Sequence, residues 1–476
     1  MKNVMNSIWN LMKLSAFIFP LSVFVSCSQE EFLPQETTTL QFVVGNFPAF
    51  QNSSPKLGEV PQAEGSVLTR AIGTQDEGKT AWENEDKILV HLYSQKYGDQ
   101  AVTLTFDAEN NTWESDGGTL SYLENETPTI TAVYAPDCEI KSDKTIGLLE
   151  GKQYGEAEYI PAKTTISGNT LDIRFESGRT YSRLRIAGLA NQTLTVTTTD
   201  FTPAGANNSS PESGEVPQAE GSVTYTLTTD NNGNAFLYGV FAEDATVIVK
   251  QGNVVLKDYT FTAEKNPNGT AHNKSYALDA TPVIDGTLGG KAEATAAEVE
   301  TLVQQLKDYV DNGITTIIVP GSKSAIIEVD GIVLPAVSEA IYRLSKDESY
   351  NGKIDLILPD VTEIFDQEFH SARALNSITL PKVTNLADQA FYGTLYLRTI
   401  TFGSVITEVN ELGAIFNQVG YNVGGCDLIL NCGQMNESNV PAPDLTNNIW
   451  KFKFENEFKS ITLTHTGECD ECKANQ

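Results

Sequence analysis

Two consecutive stretches decide how the last third of this chain is read: "KIDLILPDVTEIFDQEFHSARA" (Lys353–Ala374) and "LNSITLPKVTNLADQAFYGTLY" (Leu375–Tyr396). A third start, "LRTITFGSVITEVN", follows at Leu397. Laid under one another, they make Leu358, Leu380 and Phe402 equivalent, and likewise Val361, Val383 and Val405. Phe369 matches Phe391, and Pro359 matches Pro381. The apolar positions persist while the polar ones drift. A stack of coils requires this, because each coil buries its apolar side against the next. Later strand-like runs, "CDLILN" and "FKSITLTH", extend the stack with irregular connections.

Upstream of the repeats, "TAAEVETLVQQLKDYVDNG" predicts an amphipathic helix with Val299, Leu302, Val303, Leu306 and Val310 on one face. Thr295 and Glu298 form a capping box, and Gly313 supplies the C-terminal stop. "ITTIIVPG" predicts a strand, and "PAVSEAIYRLSKD" a second helix. Between Thr39 and about Ala280 the texture is different. Short runs such as "LQFVVGNF", "KILVHLYS", "AVTLTFDA", "FLYGVF" and "ATVIVKQG" are rich in β-branched and aromatic residues and are separated by polar turn clusters. Ten or more such strands without a helix predict antiparallel sandwiches, and the length suits two of them, 39–165 and 166–280. The expected fold is therefore multidomain: two tandem antiparallel β-sandwiches, then an α/β repeat unit over 281–476.

The N-terminus reads as a targeting segment. Lys2 and Lys13 lead into the apolar run Leu14–Val25, which is too short to span a bilayer and ends in "FVSC". Residues 1–26 are expected to be a signal peptide, with Cys27 the lipidated first residue of the mature chain and residues 27–38 a polar tether. The chain carries 62 acidic against 32 basic residues, a net charge of −30, which argues against nucleic acid as a partner.

No catalytic constellation emerges. The four histidines, His91, His272, His370 and His465, are scattered, and no HExxH, GxSxG or phosphate-binding glycine loop is present. "DNNGN" at Asp230 lacks the twelfth-position Glu of a calcium loop and reads as a hairpin turn. No enzyme activity, cofactor or metal is expected. Cys426, Cys432, Cys469 and Cys472 are read as free thiols or as disulfides, which suit an exported protein, and a zinc site is disfavoured by their spacing.

A second kind of repetition behaves in the opposite way. "NSSPKLGEVPQAEGSV" from Asn52 recurs as "NSSPESGEVPQAEGSV" from Asn208. These copies have loop-like composition, sharp edges and unrelated flanks. They read as one short segment inserted twice into surface loops.

The repeats resemble the BspA-like class of bacterial leucine-rich repeats, whose unit "LxSITLPxVTxLxxxAFxG" is carried by "LNSITLPKVTNLADQAFYG". That resemblance is good over 353–410 and weaker on either side. It implies a solenoid with a parallel sheet, surface display, and binding to host or microbial surface macromolecules. Residues 39–280 resemble the fimbrillin-like (Mfa-like) lipoproteins, through "TRAIG" at Thr69–Gly73, "TAWENEDKILV" around Trp82, "NTWES" at Trp113, "ITAVYAP", "NGNAFLYGVF" and "GTAHNKSYALDA". This second resemblance implies transthyretin-like sandwiches and a role in pili or adhesion, with pilin subunits as partners. It also makes Arg70–Ala71 a candidate protease maturation site, after which a neighbour's strand would fill the opened groove. The 200 or so residues after the pilin-like part favour a tip or accessory subunit over a shaft subunit. The expectation is a lipid-anchored, surface-exposed outer-membrane adhesin or pilus-associated protein. The alternative is a glycan-capturing surface lipoprotein of a nutrient-uptake system, disfavoured because only Trp82, Trp113 and Trp450 follow the leader.

Overall fold

The computed structural model describes residues 37–52, 79–175, 180–204, 221–262, 269–270, 272–322, 324–409, 414–435 and 458–464. These residues make a β-rich chain of three units with two α-helices.

In the first unit a five-stranded antiparallel sheet runs in the order Ile160–Pro161, Thr129–Tyr134, Lys87–Ser94, Gly98–Asp107, Thr112–Ser115. A three-stranded sheet, Lys163–Ser167, Thr170–Arg174 and Gln41–Val44, shares its core. Alternation puts Ile88, Val90, Leu92, Val102, Leu104, Leu171 and Ile173 inside. Trp82 packs edge-on against Phe47 at 5.0 Å and Trp113 at 4.9 Å, and its Nε1–H donates to the Gly45 carbonyl at 2.8 Å. Both tryptophans are thus spent on the core.

Two expectations need correction here. The boundary placed at 165/166 falls inside the strand Lys163–Ser167, which pairs along its whole length with Thr170–Arg174. Leu171, Ile173 and Phe175 belong to the first core, so the first unit runs to Phe175. Nor are the units wholly antiparallel. Gln41–Val44 runs parallel to Thr170–Ile173, and Lys274–Asp279 runs parallel to Ser182–Ala187. Strands distant in sequence meet in these pairs, and alternation within a strand carries no information about its neighbour's direction.

The second unit stacks the sheet Phe201–Pro203, Asn234–Phe241, Ser182–Ala187, Lys274–Asp279, Gln51–Asn52 on the sheet Ser222–Thr228, Thr193–Thr199, Thr246–Gln251, Val254–Thr260. Phe201, Phe241 and Phe261 stack through its centre at 4.4 and 4.8 Å. The turn at Asp230 does not close a hairpin. Ser222–Thr228 and Asn234–Phe241 lie in different sheets, and the Asp230 carboxylate accepts the N–H groups of Asn232 and Asn234 to make the crossing. The segment from Phe47 to Asn52 ties the two β units together. Phe47 packs in the first core, Phe50 lies 5.1 Å from the buried Arg183 guanidinium, and Gln51–Asn52 pair with Lys274–Ser275. Of the duplicated segments only Asn52 and Gly221–Val223 are described, and Ser222–Val223 already belong to a strand.

The second core ends with Ala280 and the third begins with Ile284. Helix α1 (Ala296–Asp311) opens on the Thr295–Glu298 capping box and buries Val299, Leu302, Val303, Leu306 and Tyr309. Helix α2 (Ala336–Leu344) follows a hairpin, Ile326–Val329 with Ile332–Pro335, whose Asp330-Gly331 turn has φ of 51° and 83°. Beside the helices lies a six-stranded, all-parallel sheet: Thr316–Ile318, Ile354–Ile357, Leu375–Leu380, Thr399–Phe402, Asp427–Asn431, Ser460–Thr464. Ser377 pairs with Asp355 and Thr399 with Ser377, each 22 residues on. The chain thus advances one strand per sequence unit.

The buried rings form a ladder. Phe369, Phe391 and Phe416 stack at 5.6 and 5.7 Å with interplanar angles of 13° and 8°, and Phe458 closes the end edge-on at 5.0 Å. Phe416 was invisible to a strict 22-residue alignment, because the third coil is longer. The same lengthening corrects the equivalence of Val383 with Val405. Glu408–Val409 pair with Asn385–Leu386 at a step of 23, and the fully buried residue is Ile406, with Val405 half-buried. Among the described residues no further strand covers Ile406. Instead the buried Gln434 amide accepts its N–H at 2.6 Å and donates to its carbonyl at 3.1 Å.

Candidate binding surfaces

Strand register fixes what the outer face of the parallel sheet presents. Because alternate side chains share a face, Thr316, Asp355, Ser377, Thr399, Asp427 and Ser460 form one row across it. Ile318, Ile357, Thr379, Thr401, Ile429 and Thr462 form the next. The inward rows, including Leu356, Ile378, Ile400 and Leu428, are buried. The first outer row is cross-linked. Asp355 Oδ1 accepts from the Ser377 hydroxyl and from Asn376 Nδ2 at 2.7 Å. Asp427 accepts from Ser460 and sits 3.4 Å from Lys459 Nζ, and these bonds hold its carboxyl below the usual range. The result is one pre-ordered row of short hydroxyl and carboxylate groups beside a row that mixes threonine with isoleucine.

At the strands' other end, Asp360 is almost fully buried, yet it bonds Lys382 Nζ at 2.9 Å and accepts the Gly321 N–H at 3.0 Å. Deeper still is Glu368, enclosed between α2 and the coil. Burial pushes its carboxyl up to about 7, although the Ser338 hydroxyl and the Phe365 N–H both donate to it. An unfolded glutamate ionises near 4.5 while the folded one holds its proton to about 7, so stability should fall as pH rises through that window. Glu368→Gln should flatten this slope. Denaturant titrations at pH 5 and pH 8, read by hydrogen exchange in the C-terminal unit, measure it; an unchanged slope would contradict the assignment.

A second concave region lies between the Asn253–Lys257 segment and α1, as two adjoining grooves of about 750 and 530 Å³. Their amides are engaged in holding the units together. The Asn312 side chain accepts the Asn253 N–H at 2.8 Å and donates to the Asp308 carbonyl at 2.8 Å, and Gln304 donates to Asp308. Val254 and Leu256 pack on the C-terminal core beside them.

Cys27, Arg70, Ala71, Cys469 and Cys472 lie outside the described residues. Cys426 and Cys432 are buried at opposite ends of the five-residue strand Asp427–Asn431. An extended strand of that length separates them by about 16 Å or more, so they cannot bond to each other. Burial pushes the Cys426 thiol up to about 12 and the Cys138 thiol to about 11, which leaves neither as a ready thiolate. His91 bonds Asp99 at 2.9 Å on the surface, and His370 stacks on Tyr392. Among the described residues no three His, Cys, Asp or Glu side chains are placed to hold a metal ion, and no helix is long and apolar enough to cross a membrane.

No protein-family model and no curated protein matches the chain. Among solved structures, one that it resembles is a "putative cell adhesion protein" from Bacteroides fragilis, with a TM-score of 0.25 and 14% identity over 51% of this chain and 92% of that one.

Proposed function

We propose that the chain is a non-enzymatic, lipid-anchored adhesin or pilus-associated accessory protein of the bacterial outer-membrane surface. In this reading Cys27 carries the lipid, and the two β units are fimbrillin-type sandwiches that act as a stalk or dock to pilin subunits. The C-terminal unit is a BspA-like leucine-rich-repeat solenoid that presents the binding face to host or microbial surface proteins or glycans. The observation that carries it is the outer face of the parallel sheet, with an in-register row of hydroxyl and carboxylate side chains beside a row of threonines and isoleucines. A regular, pre-ordered polar surface that recurs once per coil suits recognition of an extended partner. The solved-structure likeness reported above carries no weight in this reading.

Labelling intact cells with a membrane-impermeant biotin reagent tests the placement, and a binding assay of cells lacking the chain tests the role. The expected result is labelling without lysis, and reduced adherence that returns with the full chain but not with a chain ending near Ala280. Labelling only after lysis, or undiminished adherence, would overturn the proposal. The glycan-capture alternative predicts instead normal adherence with impaired growth on a complex polysaccharide.

A further inference from the structure

The third coil differs from the first two by an insertion. Six residues lead from the ladder ring to the buried residue where the next strand begins in the first two coils, Phe369 to Leu375 and Phe391 to Leu397. Ten lead from Phe416 to Cys426. The extra chain forms a short 3-10 turn, Tyr421–Val423, between Gly420 and Gly424. It is tied down: the Gly420 N–H donates to the Thr394 carbonyl at 3.0 Å, Asn422 to Leu395 at 2.9 Å, and Gly425 to Gly420 at 3.0 Å. Gly420, Gly424 and Gly425 take φ of 67°, 82° and 104°, which side chains rarely adopt, so the turn has one shape. On it Tyr421 stands 77% exposed, far more than any other exposed large apolar side chain described. A fixed turn that holds an aromatic ring in water gains nothing from burying it.

Basic residues recur along the rim where the strands begin, on both sides of the strand that this turn leads into. Backbone bonds from Gly352 to Arg373, Arg398 to Asn376, Asp427 to Arg398 and Lys459 to Cys426, at 2.7–2.8 Å, place Lys353, Arg373, Arg398 and Lys459 along that rim, with the Cys426 coil between the last two. Lys459 packs directly on the Gly425 of the turn. Lys353, Arg398 and Lys459 are all exposed, and each precedes a strand two places from the last. Strand spacing therefore sets them about 10 Å apart. Along this rim Asp355 is held by Asn376 and Ser377 and Asp427 by Ser460 and Lys459, and toward its Lys353 end Asp311 accepts from the Tyr350 hydroxyl at 3.2 Å while Asp347 caps the Glu348–Tyr350 turn. No acidic side chain among the described residues pairs with Lys353, Arg373 or Arg398. On a chain of net charge −30 such bases without an acidic partner among the described residues stand out.

We propose that this rim docks an anionic polysaccharide. Tyr421 stacks against a sugar ring, while Lys353, Arg398 and Lys459, with Arg373 beside them, meet its carboxylate or sulfate groups. Evenly spaced cations along a straight rim fit a linear polymer with regularly spaced charges, and the rigid exposed ring supplies the apolar contact. The inference rests on the reading of the C-terminal unit as the binding module. It names the partner class.

The test is direct binding of the full chain to immobilised heparin (sulfated), hyaluronan (carboxylated) and dextran (neutral). Binding to at least one anionic polymer and not to dextran is expected, weakening as salt rises. Tyr421→Ala and Arg398→Ala should each weaken it about tenfold, which corresponds to about 1.4 kcal/mol. Tyr93→Ala, at an exposed tyrosine of the first unit, should leave it unchanged. Circular dichroism keeps a folding defect distinguishable. Binding to neither anionic polymer, equal binding to dextran, capture only of an acidic protein, or loss with Arg398→Ala but not with Tyr421→Ala would each overturn it. A chain that binds heparin in vitro while its loss leaves adherence unchanged refutes the adhesin role and leaves this site standing.

Discussion

Phe391→Ala is expected to destabilise the C-terminal unit by about 3–5 kcal/mol. The ring is fully buried and stacks on both sides, on Phe369 at 5.6 Å and on Phe416 at 5.7 Å. Its loss opens a cavity between two coils. The surrounding strands cannot collapse into that cavity, because the sheet register holds them at fixed spacing. The adjacent Tyr392 is a built-in control. It stacks on His370 at 5.2 Å but is only half-buried, so Tyr392→Ala should cost about 1 kcal/mol or less. Denaturant unfolding of both variants checks this, read by hydrogen exchange in the sheet. Equal losses would mean that the ladder is not what joins the coils.

The second large effect is expected at Gly239. A Cβ there would lie 2.3 Å from the Phe201 ring and 2.4 Å from the Thr202 carbonyl oxygen. Gly239 faces Pro203 across an antiparallel pair, and Phe201 is held by its stack on Phe241 at 4.4 Å. Gly239→Ala should therefore cost about 3 kcal/mol or more through overpacking. The double variant with Phe201→Leu should recover only part of this, since trimming the ring leaves the Thr202 carbonyl in place. Full recovery would show that the ring alone sets the limit. Thermal unfolding of single and double variants, followed in the near ultraviolet, distinguishes the outcomes.

Much of the architecture is legible in the residues for a local physical reason. Helix α1 is written in its apolar face and capping box, both of which act within a few residues of each other. The strands of the β units are written in alternation, and the 22-residue period in the need of each coil to bury the same positions. Where the sequence reading went astray, the missing information was non-local. The strand Lys163–Ser167 looks the same whether it ends one unit or opens the next, and only its pairing with Thr170–Arg174 assigns it. The turn at Asp230 has the composition of a hairpin and yet crosses between sheets. Phe416 escaped because the third coil's insertion broke the period, and Ile406 because one extra residue moved the buried position.

The candidate surfaces divide in the same way. Sequence alone determined that the chain is acidic, that its last third repeats, and which positions of the repeat face inward. Burial imposes that pattern on each coil separately, so a single coil's residues reveal it. The tertiary structure alone decided which residues stand side by side beyond the regular period: Asp427 with Ser460, and Gly425 of the third coil's turn against Lys459. The 22-residue period already aligns Asp355 with Ser377, but the later strands pair at steps of 28 and 33, and no spacing in the sequence carries that register until the backbone bonds fix it.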